Sequence, residues 1–123
     1  MGAIDGPSRY ASRMSTPVTD RLAKLTKLLA LDERDTFVLY AIAQEHAKLG
    51  DHATACAFFD RTLVIDPLYC YGYYHKARSQ QATGDLPGAR VTVQAGIQAA
   101  HRAADVKALS ELSTLQVELS EAR

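Results

Sequence analysis

Residues 49–67, Leu-Gly-Asp-His-Ala-Thr-Ala-Cys-Ala-Phe-Phe-Asp-Arg-Thr-Leu-Val-Ile-Asp-Pro, contain one helix together with the signals that bound it. Gly50 is the residue type that stops a preceding helix, because it adopts a left-handed backbone without steric cost. After Asp51 the residues Ala55, Phe59, Thr62 and Leu63 recur at three- and four-residue spacing, which puts them on one inward face. Asp66-Pro67 closes the segment, since proline disfavours helical geometry in the residue before it.

The same grammar extends in both directions. Thr36 to Leu49 carries Leu39, Ile42, Ala43 and His46 on one stripe, with Asp35 as its N-cap. Upstream, Leu22, Leu25, Leu28 and Leu29 mark a helix that begins near Val18, capped by Thr19 or Asp20. Downstream, a helix runs from about Cys70 to Thr83 and stops at Gly84. The next follows Asp85, tolerates Pro87 in its first turn and turns Ala89, Val93 and Ile97 inward. A last helix, Asp105 to about Leu119, presents Val106, Leu109, Leu112, Leu115 and Leu119. Nothing reads as a strand, so the fold class is all-α. Residues 1–17, rich in Gly, Ser, Pro and Arg with hardly any apolar period, read as a flexible tail.

Bulk numbers narrow the function. The chain has 123 residues, 47% hydrophobic and 23% charged, enough for one small core. Fourteen Lys and Arg balance fourteen Asp and Glu, and the cations are scattered, so no field gathers phosphates or an anionic membrane. Neither a nucleic-acid nor a membrane partner is expected. The apolar stretches are shorter than a bilayer span and the N-terminus lacks a secretory pattern, from which a cytoplasmic location is expected. Cys56 and Cys70 form no C-x-x-C pair and read as small buried hydrophobes.

Sliding the chain against itself by 34 residues aligns Tyr40 with Tyr74, Ala43 with Ala77, Gly50 with Gly84, Asp51 with Asp85 and Ala55 with Ala89. About two or three identities would arise by chance at ordinary residue usage. Position matters more than number: the pairs mark the end of one helix, the turn, and the small residue where the next helix crosses close by. A period of 34 is that of the tetratricopeptide helix-turn-helix repeat. Residues 49–67 resemble that family's turn, second helix and closing Asp-Pro, and Thr-Gly-Asp-Leu-Pro-Gly-Ala-Arg, residues 83–90, resembles the turn again.

The resemblance implies a short right-handed α-solenoid. It divides the chain into a degenerate leading helix at 18–35, a first repeat at 36–69, a second at 70–103, and a capping helix at 104–123. It departs from the family where Leu39 and Tyr73 stand for tryptophan, His46 and Gln80 for the buried tyrosine, Lys76 for an inward leucine and His101 for the closing proline. The second helix of the second repeat is therefore expected to run past Ala99. About three stacked repeats are usually needed for stability. Homodimerisation through an end helix would relieve a shortfall in buried area.

In the family the first helices of the repeats line a concave groove that binds peptides. Its contact positions translate here to Phe37, Tyr40, Gln44, Ala47 and Lys48, then Tyr71, Tyr74, Arg78, Gln81 and Ala82. Tyr and Arg dominate protein interfaces, so the expected function is a non-catalytic adaptor or scaffold that binds a protein or peptide segment. The competing reading of the tyrosines is core and inter-repeat packing, with Tyr73 assigned to the core. Members that clamp a chaperone's terminal carboxylate use Lys and Asn where this chain has Tyr40 and Gln44, so that clamp is not expected, although Arg78 and Lys48 have the charge to hold an acidic side chain. The alternative function is structural self-association through the terminal helices; a third has the tail filling the groove.

The histidines supply the only catalytic or metal-ligating candidates, and none stands at a spacing that fixes a carboxylate partner or a ligand pair. No catalytic residue, metal or cofactor is expected.

Overall fold

The computed structural model describes residues 18–122, so the tail expected at 1–17 lies outside the described residues. Among them are six helices: α1 (Asp20–Leu31), α2 (Thr36–Lys48), α3 (His52–Ile65), α4 (Cys70–Ala82), α5 (Leu86–Ala103) and α6 (Val106–Glu121). No strand occurs among the described residues. None of the described helices is long and apolar enough to cross a membrane.

Side chains fix most of the starts. Thr19 Oγ1 accepts from the Leu22 amide at 2.9 Å, and Asp35, Asp51, Asp85 and Asp105 each accept from the amide three residues on. Only α4, entered through Tyr69, has no side-chain cap. The stops follow from backbone geometry. Gly50 and Gly84 hold φ of +82° and +85°, conformations that an L side chain resists. Where α5 gives way to α6 the same left-handed turn is made by Ala104, at φ 54°. That turn lacks both the glycine and the closing proline of the earlier ones, and α5 accordingly runs on to Ala103.

Each helix packs mainly on its chain neighbours. In addition α2 touches α4 and α4 touches α6, whereas α1, α3 and α5 make no such contacts with one another. The even-numbered helices thus line the inner side of the array and the odd-numbered ones its outer side. The core is a chain of clusters: Leu22 and Leu25 with Val38, Ala41 and Ile42, then Ala43 with Ala55 and Phe59, then Ala77 with Ala89, Val93, Leu115 and Leu119, and last Cys70 with Ala100, Ala108 and Leu112. All four alanines of the 34-residue alignment, Ala43, Ala55, Ala77 and Ala89, are fully buried. Helix pairs approach closely there because no larger side chain intervenes.

Two residues expected inward point out. Leu28 is 49% exposed and Val106 is 77% exposed. α1 packs mainly on α2, so one edge of its leucine stripe suffices, and Val106 lies off the stripe of Ala108, Leu112, Leu115 and Leu119 on which α6 is buried. Lys76, standing where leucine was expected, keeps its stem half-buried and bonds Asp60 at 2.7 Å.

Candidate binding groove

The inner side of α2 and α4 carries a cluster of rings centred on His75. Tyr40, Tyr71 and Tyr74 lie 5.8, 6.5 and 5.1 Å from it between centroids, and Phe59 stacks on it at 6.3 Å. Tyr40 also packs on Tyr69 at 4.9 Å. These spacings are those of favourable edge and tilted ring contacts. Burial, with the neighbouring Tyr69 and Tyr71, pushes the Tyr40 phenol up to about 12. Burial, reinforced by the Arg78 guanidinium, lowers the His75 value, so at neutral pH the ring is an uncharged wedge.

His75 also lines a cavity of about 490 Å³, shared with Arg21, Gln44, Glu45, Ala47, Lys48, His52, Phe59, Arg78 and Ser79. Expected groove residues therefore fall into two groups. Gln44, Ala47, Lys48 and Arg78 line the cavity, while Tyr40, Tyr71 and Tyr74 form the ring cluster that meets it at His75. Phe37 stands apart near the start of α2, 62% exposed. Tyr73, assigned to the core, packs partly on the Cys70 cluster and donates its hydroxyl to the Pro67 carbonyl at 2.7 Å.

The second half of the set is tied to α6. Arg78 donates to Glu118 at 2.9 Å and to the Tyr74 hydroxyl, and Gln81 donates to the same Glu118 oxygen at 2.8 Å. Those bonds hold the Glu118 carboxyl below its usual range. Tyr71 donates to Glu111 at 3.0 Å. The helix expected only to cap the array therefore supplies an acidic wall to the groove.

Sequence reasoning missed Glu45. The residue is 5% exposed, and its carboxylate accepts from Lys48 Nζ at 2.8 Å and Arg21 Nε at 3.1 Å, joining α1 to α2 at the cavity wall. The Lys48 bond, with help from Arg21, holds the Glu45 pKa below the ordinary glutamate value. A depressed folded-state pKa means that the contribution is complete above the unfolded value and disappears as pH falls through the folded one. Urea midpoints of the wild-type protein should thus drop more steeply on the acid side of the glutamate range than those of Glu45→Gln, which should also be the less stable at neutral pH. Parallel pH profiles would show that the pair contributes nothing.

The cavity holds one hydroxyl–imidazole pair, Ser79 Oγ and His52 Nδ1 at 3.0 Å. Ser79 is only 2% exposed, and the bond fastens α3 to α4.

No family model matches the chain. A TPR repeat-containing protein of Pseudomonas aeruginosa is 28% identical over 99 residues, spanning 80% of this chain and 94% of that protein. The crystal structure of a tetratricopeptide repeat domain protein from Salinibacter ruber superposes with a TM-score of 0.67 at 31% identity, over 72% of this chain and 99% of that one. The crystal structure of PcrH in complex with the chaperone binding region of PopD shares the fold, with a TM-score of 0.77 at 18% identity over 82% of this chain and 77% of that one. Helix order, buried alanines at a 34-residue period and a relative of 31% identity covered almost end to end agree: the chain belongs to the tetratricopeptide repeat family.

Proposed function

We propose that the protein is a non-catalytic interaction module that binds a peptide segment of another protein across the inner faces of α2 and α4. The observation that carries this reading is the junction at His75, where three half-buried tyrosines meet a cavity of about 490 Å³ edged by Gln44, Lys48 and Arg78. Large stiff rings give contact area at small entropic cost, and polar heads beside them fix orientation. That PcrH, of the same fold, is seen with a segment of PopD supports the reading as precedent for the fold. Balanced charge favours protein over nucleic acid as the partner.

Selection from a displayed peptide library tests it. Enriched peptides should bind the wild-type protein and lose affinity about tenfold or more on Phe37→Ala and on Tyr40→Ala/Tyr74→Ala, the scale of a lost aromatic anchor. Phe37 is too exposed for its loss to disturb the fold, and unchanged helical content would qualify the double variant. Peptides that bind all three proteins equally would place recognition outside the groove, and a library without enrichment would make self-association the leading account.

A further inference from the structure

The outer side of the array carries a second surface. Between the C-terminal halves of α1 and α3 lie two adjoining hollows of about 300 and 370 Å³. Leu29 and Ala30 line one, Val64 and Ile65 the other, and Glu33 and Arg61 line both, so the two form one furrow. Val64, which lines it, is 81% exposed, one of the two most exposed large apolar side chains among the described residues.

The charges of the furrow identify what fits it. Arg34 and Asp60 also line it, giving two acids and two bases. Asp60 is already bonded to Lys76. Among the described residues Glu33 has no ionic partner, and Arg61 rests over the Phe58 ring at 5.0 Å with no carboxylate bonded to it. An acid and a base thus flank the furrow without pairing with each other. A two-fold axis through the furrow satisfies both at once, because an isologous contact sets residue i against j and j against i. A partner whose charges were all of one sign would satisfy only half. The chain as a whole has no net charge, so two copies approach without long-range repulsion.

We infer that this furrow is the interface of a symmetric homodimer, in which Val64 is covered and Glu33 of one copy meets Arg61 of the other. The interface lies on the side of the array opposite the α2–α4 groove, so the dimer would present two grooves facing away from each other and engage a partner with repeated segments more tightly than either groove alone.

Sedimentation velocity of the full chain across a concentration series tests the inference. The wild-type protein should pass from monomer to dimer mass as concentration rises. Val64→Glu should shift that transition to higher concentration by about tenfold or more, since the axis makes each substitution count twice. Arg61→Glu and Glu33→Arg should each weaken dimerisation similarly by setting like charges against one another, yet an equimolar mixture of the two should dimerise again. All these side chains are exposed, so unchanged helical content is expected of each variant. A wild-type chain that stays monomeric throughout, a dimer indifferent to Val64→Glu, or single variants that the mixture fails to rescue would each overturn the inference. The groove reading is judged separately by peptide binding, which a monomer retains.

Discussion

Phe59→Ala is expected to lower the unfolding free energy by about 3–5 kcal/mol, the usual cost of emptying a buried aromatic site. The ring is 0% exposed and is held between α2 and α4: Ala43 and Ala55 pack on it, Tyr40 lies 6.0 Å away and His75 stacks on it at 6.3 Å. Ala43 and Ala55 have no atoms beyond Cβ to extend into the space, and His75 is held among three tyrosines. Small domains hold only about 5–15 kcal/mol in total, so the loss should remove a large part of the urea midpoint followed by far-UV circular dichroism. Phe58, half-buried on the α1 side, should cost clearly less when truncated. Equal losses at the two positions would mean that Phe59 is not the joint between the α2–α3 pair and α4 that the packing describes.

Phe59 was legible in the sequence because helical spacing reports which residues share a face. The turns were legible for a related reason: Gly50-Asp51 and Gly84-Asp85 repeat at 34 residues, and each pair supplies a left-handed stop and an N-cap that no other neighbouring residue types provide so cheaply. What stayed hidden depends on where whole helices sit relative to each other. Leu28 belongs to the leucine stripe of α1 and is exposed because that helix packs mainly on α2. The acidic wall formed by Glu111 and Glu118 needs α6 beside α4, a placement that the residues of α6 alone do not encode. Glu45 was within reach, since it follows Val38, Ala41 and Ile42 at helical spacing on the inward stripe. A carboxylate on an apolar stripe, with Lys48 one turn on, signals a buried acid held by a neighbouring cation.

Gly96→Val should cost about 3 kcal/mol, toward the upper end for an overpacked core, although replacing a helical glycine ordinarily helps. Gly96 is buried in α5 where that helix crosses α4 and α6. A Cβ there would stand 2.7 Å from Tyr73 Cβ and 3.0 Å from Leu112 Cδ2. Leu112 can turn its methyl aside, but Tyr73 Cβ moves only with the backbone of α4, so the added carbon must push α4 and α5 apart. Branching at Cβ brings two further methyl groups into the same crossing. Gly72→Ala is the control: its Cβ would meet the end of the Leu63 side chain at 2.9 Å, which can rotate away, and the helix gains from losing a glycine. Thermal denaturation should therefore show Gly96→Val melting far below the wild-type protein and Gly72→Ala close to it. The same separation should weaken the Tyr71–Glu111 and Arg78–Glu118 bonds that tie the groove to α6, so Gly96→Val should also reduce peptide affinity at temperatures where it remains folded. A variant that keeps wild-type stability would show that α4 and α5 tolerate a wider crossing, and that the α6 wall does not depend on the close approach at Gly96.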